Sequence, residues 1–210
     1  TAELSVITGI NSSSIGFTGV SASVRYVTEA DFGSTSSLMF GLEYKLSFPR
    51  MSDKLSMITG AHFTGITHET TTTLNLAGQT EIEHVTLKSF LMRFPIGIRY
   101  TFPSSSVKPY LEIGSSIAID FKGDAQRDRT IIRTGSQSSQ LSKPFTMKKI
   151  QVGVSFGGGF SFPMGAKYWA LGVRYENTNG IVGDAAGDEL TIIGLNSNVT
   201  NLQFILGIGI

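Results

Sequence analysis

The sequence predicts an all-β chain: a single eight-stranded antiparallel barrel of the up-and-down kind. Three observations carry that expectation. Apolar residues recur at every second position in eight separate segments, and a period of two means a strand, because successive side chains point to opposite faces. The connections between these segments alternate short and long. Three segments end in the same step, Phe48-Pro49, Phe102-Pro103 and Phe162-Pro163, a weak hairpin repeat that sets aromatic residues at one level, the short-turn end.

The clearest segment is 90–102, the return strand of a long hairpin over 54–102. Phe90, Met92, Phe94, Ile96, Ile98, Tyr100 and Phe102 share one face, and Arg93, Pro95, Gly97 and Arg99 lie on the other. In chain order, the first strand covers 2–11. A polar stretch to residue 35 follows, with a possible minor strand at 20–26. The second strand, 38–48, sets Leu38, Phe40, Leu42, Tyr44, Leu46 and Phe48 against Glu43 and Lys45. After a turn at 49–53 the third strand runs over 55–64 and is expected to continue through the Thr-rich, β-prone tract 69–76. Ala77-Gly78-Gln79 then makes a three-residue turn, and 80–89 returns to the fourth strand. The hairpin therefore protrudes as a polar two-stranded ribbon. The fifth strand is 111–121, and 122–144 reads as a polar loop. The sixth strand, 150–162, the seventh, 169–176, and the eighth, 202–210, complete the set, with a loop at 177–198.

With 210 residues, a barrel of this kind makes one domain, 1–210. The net charge of +1 and the lack of any Lys/Arg run give no reason to expect nucleic acid. There is no cysteine, hence no disulfide or thiol chemistry. The longest run without a polar residue, 204–210, falls far short of the ~18 residues of a membrane helix. The chain begins in a strand, as expected of a mature form freed of its leader.

Two architectures fit eight alternating strands. A soluble calycin-like barrel turns the apolar face inward around a lipophile. An outer-membrane barrel turns it outward, against lipid. The membrane reading is favoured because no charged residue falls on the apolar face, and because the polar face is rich in small residues such as Gly41, Gly60, Gly97, Gly114, Gly157 and Gly172. Glycine weakens a solvent-facing strand but suits the crowded interior of a narrow barrel. Charges on that face also balance: Glu3, Glu43, Glu112, Asp120 and Glu176 against Lys45, Arg93, Arg99, Lys149 and Arg174, as a buried network requires. We therefore expect an interior polar network of Glu43, Lys45, His62, Arg93, Arg99, Glu112, Asp120, Arg174 and Glu176. Phe48, Tyr100, Phe102, Phe162 and Trp169 are expected at the lipid interface.

The chain resembles the PorT-like and related eight-stranded outer-membrane β-barrel domains. The resemblance rests on Ser52-Asp53-Lys54-Leu55, on the stretch from Phe90 to Tyr100 with its inward proline, and on Val107-Lys108-Pro109-Tyr110-Leu111-Glu112-Ile113-Gly114. It departs from many such barrels in ending on Ile210 rather than an aromatic residue. The resemblance implies a bacterial outer-membrane location, the lipid bilayer as partner, and a link to secretion.

The residues carry little sign of catalysis. Ser89 and His84 are the nearest Ser–His pair, but an odd separation of five puts them on opposite faces of a strand, so the triad logic fails. His68 and His84, with Glu69 or Glu83, form the one candidate metal set, against which a solvated ribbon is the favoured reading. Asp120, Asp124 and Asp128, and the group Asp184, Asp188 and Glu189, lack the spacing of a calcium loop. Gly157-Gly158-Gly159 lies mid-strand, not in a phosphate loop. No catalytic residue, cofactor site or metal site is assigned. The expectation is a non-enzymatic surface, assembly or secretion-associated protein working through its external loops and the 69–84 hairpin, to which a protein partner would bind. The alternatives are a lipid-modifying outer-membrane enzyme and a soluble lipophile carrier.

Overall fold

A computed structural model describes residues 2–18, 34–48, 54–76, 79–103, 106–133, 139–144, 149–164, 167–179 and 196–209. The described strands are β1 (Ala2–Thr18), β2 (Ser34–Ser47), β3 (Leu55–Leu76), β4 (Gln79–Thr101), β5 (Lys108–Asp120), β6 (Asp124–Arg133), β7 (Ser139–Pro144), β8 (Ile150–Met164), β9 (Lys167–Asn179) and β10 (Asn196–Gly209). No described residue is helical.

Eight of these strands close a barrel in the order β1, β2, β3, β4, β5, β8, β9, β10, with β10 pairing back to β1 and every pairing antiparallel. Closure leaves the wall without an edge. β3 and β4 are far longer than the wall needs. Their lower halves pair with β2 and β5. Their upper halves run on together from Gly65↔Phe90 to Leu76↔Gln79.

The region 122–144 is not the loop that its polarity suggests. It contains β6, which pairs with the upper half of β4 from Lys88↔Asp124 to Gln79↔Arg133, and β7, which pairs with β6. The protruding ribbon is therefore a four-stranded sheet. The hairpin turn also differs from expectation: Gln79 is in the ladder opposite Leu76, so two residues, not three, make the connection. Strands at the long-loop end reach further than their apolar period, β1 to Thr18 and β10 back to Asn196. The expected minor strand at 20–26 and Ile210 lie outside the described residues.

The two faces separate sharply. Leu38, Ile113 and Val154 are 77%, 68% and 67% exposed, whereas Arg93 and Glu176 are each 2% exposed. The apolar face is outside and the charged face inside. This is the reverse of a lipophile carrier and the arrangement of a membrane barrel. At the short-turn end Phe48, Phe102 and Trp169 are exposed, Phe162 pairs across from Trp169, and Tyr100 meets Phe102 edge-on at 5.0 Å. A second aromatic band crosses the other end on the outer surface. There Phe40, Phe63 and Phe90 stack at 5.4 and 6.3 Å, and exposed Phe121 continues the row by donating its backbone N–H to Phe90. From Phe90 to Phe102 along β4, at ~3.3 Å per residue and a tilt of ~40°, the bands stand roughly 30 Å apart, about the thickness of an apolar membrane core.

Candidate functional site: the barrel interior and the outer sheet

The interior is built in storeys. At its centre Arg99 of β4 faces Glu112 of β5 as a direct cross-strand neighbour, and donates to it from Nε at 3.0 Å and Nη2 at 2.7 Å. Glu112 in turn sits opposite Gly157 of β8, and Gly157 opposite Arg174 of β9. The missing side chain at Gly157 lets Arg174 Nε reach Glu112 across β8 at 2.7 Å. Glu43, from β2, crosses the lumen to accept from Arg99 at 2.6 Å and Arg174 at 2.9 Å. All four side chains are buried. Two guanidinium groups and two carboxylates alternate around a closed square whose charges cancel, the condition under which buried ions are tolerated.

Above this square lies a second polar cluster. Arg93 donates to Asn11 at 3.2 Å and Asn201 at 2.9 Å, with Glu176 3.8 Å away. Glu176 accepts from Gln203 at 3.0 Å and from Ser116. His62, opposite Arg93 across the β3–β4 ladder, is 1% exposed.

The upper storey sets a cluster of apolar side chains among the buried polar groups of Ser13, Thr64, His68 and Thr178. Ile15, Met39, Ile66, Leu87, Leu91 and Val199 point inward and are at most 2% exposed. A uniformly polar interior is therefore not what the chain builds: a hydrophobic plug fills the long-loop end. At the other end Lys45 pairs with Glu3 at 3.1 Å, and Ser5 and Tyr168 share a hydrogen bond of 2.6 Å.

Of the residues expected in the network, Glu43, Arg99, Glu112 and Arg174 meet in the square, and Arg93 and Glu176 meet above it with His62 alongside. Lys45 stands apart at the lower mouth. Asp120 belongs to neither cluster: it is half-buried at the top of β5 and caps the chain's exit by accepting from Lys122 N–H at 3.1 Å. Lys149 is exposed at the same end. Sequence reasoning missed Asn11, Asn201, Gln203 and Ser116, whose uncharged side chains complete the second cluster. Their parity on the inward face was the available signal.

On the outer sheet the two histidines separate. His68 points into the barrel and meets Ser13 at 3.1 Å, whereas His84 lies on the opposite face against Thr71 at 2.9 Å and Thr86 at 3.3 Å. The metal set that would need both is excluded by parity. Asp124 and Asp128 fall on β6, opposite Lys88 and His84. Asp184, Asp188 and Glu189 lie outside the described residues. The new feature is the sheet's edges. Among the described residues, β7 pairs with β6 alone, and 65–76 of β3 pairs with β4 alone. Each leaves a row of backbone donors and acceptors facing away from the sheet.

The model of the outer membrane protein beta-barrel domain family matches residues 2–177. No curated protein matches the chain. Among solved structures, Neisserial surface protein A is 12% identical with a TM-score of 0.41, over 98% of this chain and 96% of that one. The attachment invasion locus protein Ail of Yersinia pestis is 14% identical with a TM-score of 0.39, over 99% and 98%. The N-terminal β-barrel domain of Pseudomonas aeruginosa OprF is 12% identical with a TM-score of 0.27, over 96% and 97%. Likenesses this distant carry no weight beside the strand order and the family match. With its apolar face outward and its closed antiparallel wall, the chain belongs to the outer membrane protein beta-barrel domain family and is a barrel of the bacterial outer membrane.

Proposed function

We propose that this protein is a non-enzymatic anchor that holds a four-stranded sheet outside the cell, where the sheet captures an extended segment of a protein partner. The observation that carries this reading is the sheet of upper β3, upper β4, β6 and β7. It continues the barrel wall beyond the aromatic band and, among the described residues, ends in edges without a further strand partner. An extended peptide adds to such an edge through main-chain hydrogen bonds, with its alternate side chains giving specificity. One side of upper β4 is covered by β6, so among the described residues β7 and the 65–76 stretch of β3 are the edges left for addition. The interior supports an anchoring role, because the neutral square and the inward apolar residues occupy the middle and upper lumen of a narrow eight-stranded barrel. The PorT-like resemblance points to a role in assembly or secretion at the cell surface.

Deleting residues 70–83 tests the reading. The barrel wall keeps its pairings, since β4 meets β5 only from Leu91 onward. The variant is expected to fold and to lose the partner. Partner binding undiminished in a folded deletion variant would overturn it.

A further inference from the structure

The lower mouth of the barrel opposes its upper end in every respect. The upper end is shut by the plug of Met39, Leu91 and their neighbours. The lower end opens on a cavity of about 380 Å³ lined by Glu3, Lys45, Arg99, Lys108, Tyr110 and Tyr168, among others. That volume lies within the range of small-molecule sites, roughly 300–1,000 Å³. Arg99 forms the floor. It is 7% exposed and stacked on the Tyr110 ring at 4.2 Å. Its Nε and Nη2 hold Glu112 and Glu43, and Nη1 takes part in none of those bonds. On the wall, Lys45 is held by Glu3 and lies 5.9 Å from the centroid of the Tyr168 ring. Lys108 opens β5 opposite Ser161, whose hydroxyl donates to the Lys108 carbonyl at 3.3 Å.

The charge on this cavity can be summed. The square of Glu43, Arg99, Glu112 and Arg174 is neutral, and so is the pair Glu3–Lys45. Among the described lining residues Lys108 is left over, one positive charge at the rim of a cup whose floor is a guanidinium and whose walls carry tyrosine rings. One unmatched cation suits a monoanion better than a doubly charged phosphate.

We propose that this cup, open to the periplasm and closed to the outside, binds a monoanionic carboxylate, with Lys108 as its counter-ion and Arg99 at its floor. A free small carboxylate and the carboxyl end of a peptide offer the same group.

The test is titration calorimetry on the refolded barrel in uncharged detergent micelles, with three probes: an N-acetyl amino acid, its amide, and an N-acetyl tripeptide with a free C-terminus. Saturable one-to-one binding of the acids, at least tenfold weaker for the amide, is expected. Lys108→Gln is expected to lower acid affinity at least tenfold, and Lys149→Gln, at the other end of the barrel, to leave it unchanged. Ser161→Glu, which puts a carboxylate into the cup, is expected to abolish binding. The ratio of tripeptide to amino-acid affinity decides the source: tighter tripeptide binding assigns the cup to peptide ends, and equal or weaker binding to free small acids. Equal binding of acid and amide, loss on Lys149→Gln comparable to that on Lys108→Gln, or no saturation short of bulk salt concentrations (an adventitious ion only) would each overturn the proposal. The heat-dependent shift of the folded barrel on gels confirms that each variant is folded.

Discussion

Single positions divide into those that the lumen fixes and those that the wall tolerates. Arg174 is 3% exposed and is held by Glu112 and Glu43. Replacing it with Met leaves two carboxylates facing one guanidinium, and breaking a buried ionic set in this way costs about 3–5 kcal/mol. Urea unfolding in vesicles should show a loss of that size. The glycines sort by the same logic. A Cβ at Gly159 would meet the Leu171 carbonyl oxygen and come within 2.7 Å of the Tyr110 hydroxyl, whereas one at Gly65 would meet nothing within 4 Å. Gly159→Ala is expected to destabilise by roughly 1–3 kcal/mol and Gly65→Ala to be neutral or slightly stabilising, as read from unfolding midpoints. On the outer face Ile113 is 68% exposed at mid-wall. Ile113→Arg should cost about 2–4 kcal/mol in a bilayer and almost nothing in a soluble barrel, so the same vesicle unfolding assay separates the two settings.

The strands show how far a sequence can be read and where it falls silent. Where lipid lies on one side and side chains on the other, alternation is strict, and the wall segments of β2, β4, β5, β8 and β9 stand out from it. Above the membrane that contrast is gone. β6, Asp-Ala-Gln-Arg-Asp-Arg-Thr-Ile-Ile-Arg, is polar on both faces over most of its length because water, not lipid, lies outside. The same holds for the serine run Ser12-Ser13-Ser14 in β1. These strands are invisible to an apolar period and are held by pairing with a neighbour. The plug was legible in part: Leu38-Met39-Phe40 and Phe90-Leu91-Met92 are apolar on consecutive positions, which means burial on both faces. Parity also assigned each charged residue to a face. It could not say that Arg99, Glu112 and Arg174 would meet, because register sets that, and a period of two is blind to register. Hydrogen exchange reads the difference between wall and sheet. Amides of β6 and β7 should exchange far faster than those of β9 and β10, since among the described residues the outer sheet ends in open edges, whereas the wall is closed.

The assembled barrel reads as a membrane-spanning plug with a four-stranded sheet above and a small cavity below. Its wall is apolar between two aromatic bands about 30 Å apart. Its lumen is locked by a neutral ionic square and closed by hydrophobic side chains. Reconstituted in planar bilayers, it should show no steady ion conductance, and Leu91→Ala with Met39→Ala, which thin the plug, should be the first change to permit any. The placement of the apolar face against lipid underlies every other statement here, and the single tryptophan reports it. Trp169 is 37% exposed, outward, at the short-turn end. In vesicles containing lipids brominated at defined depths, its emission should be strongly quenched, most by bromines near the carbonyl level and less by those at the chain ends. Emission unaffected by bromine at any depth would show that the outer face does not meet lipid and would contradict the membrane barrel.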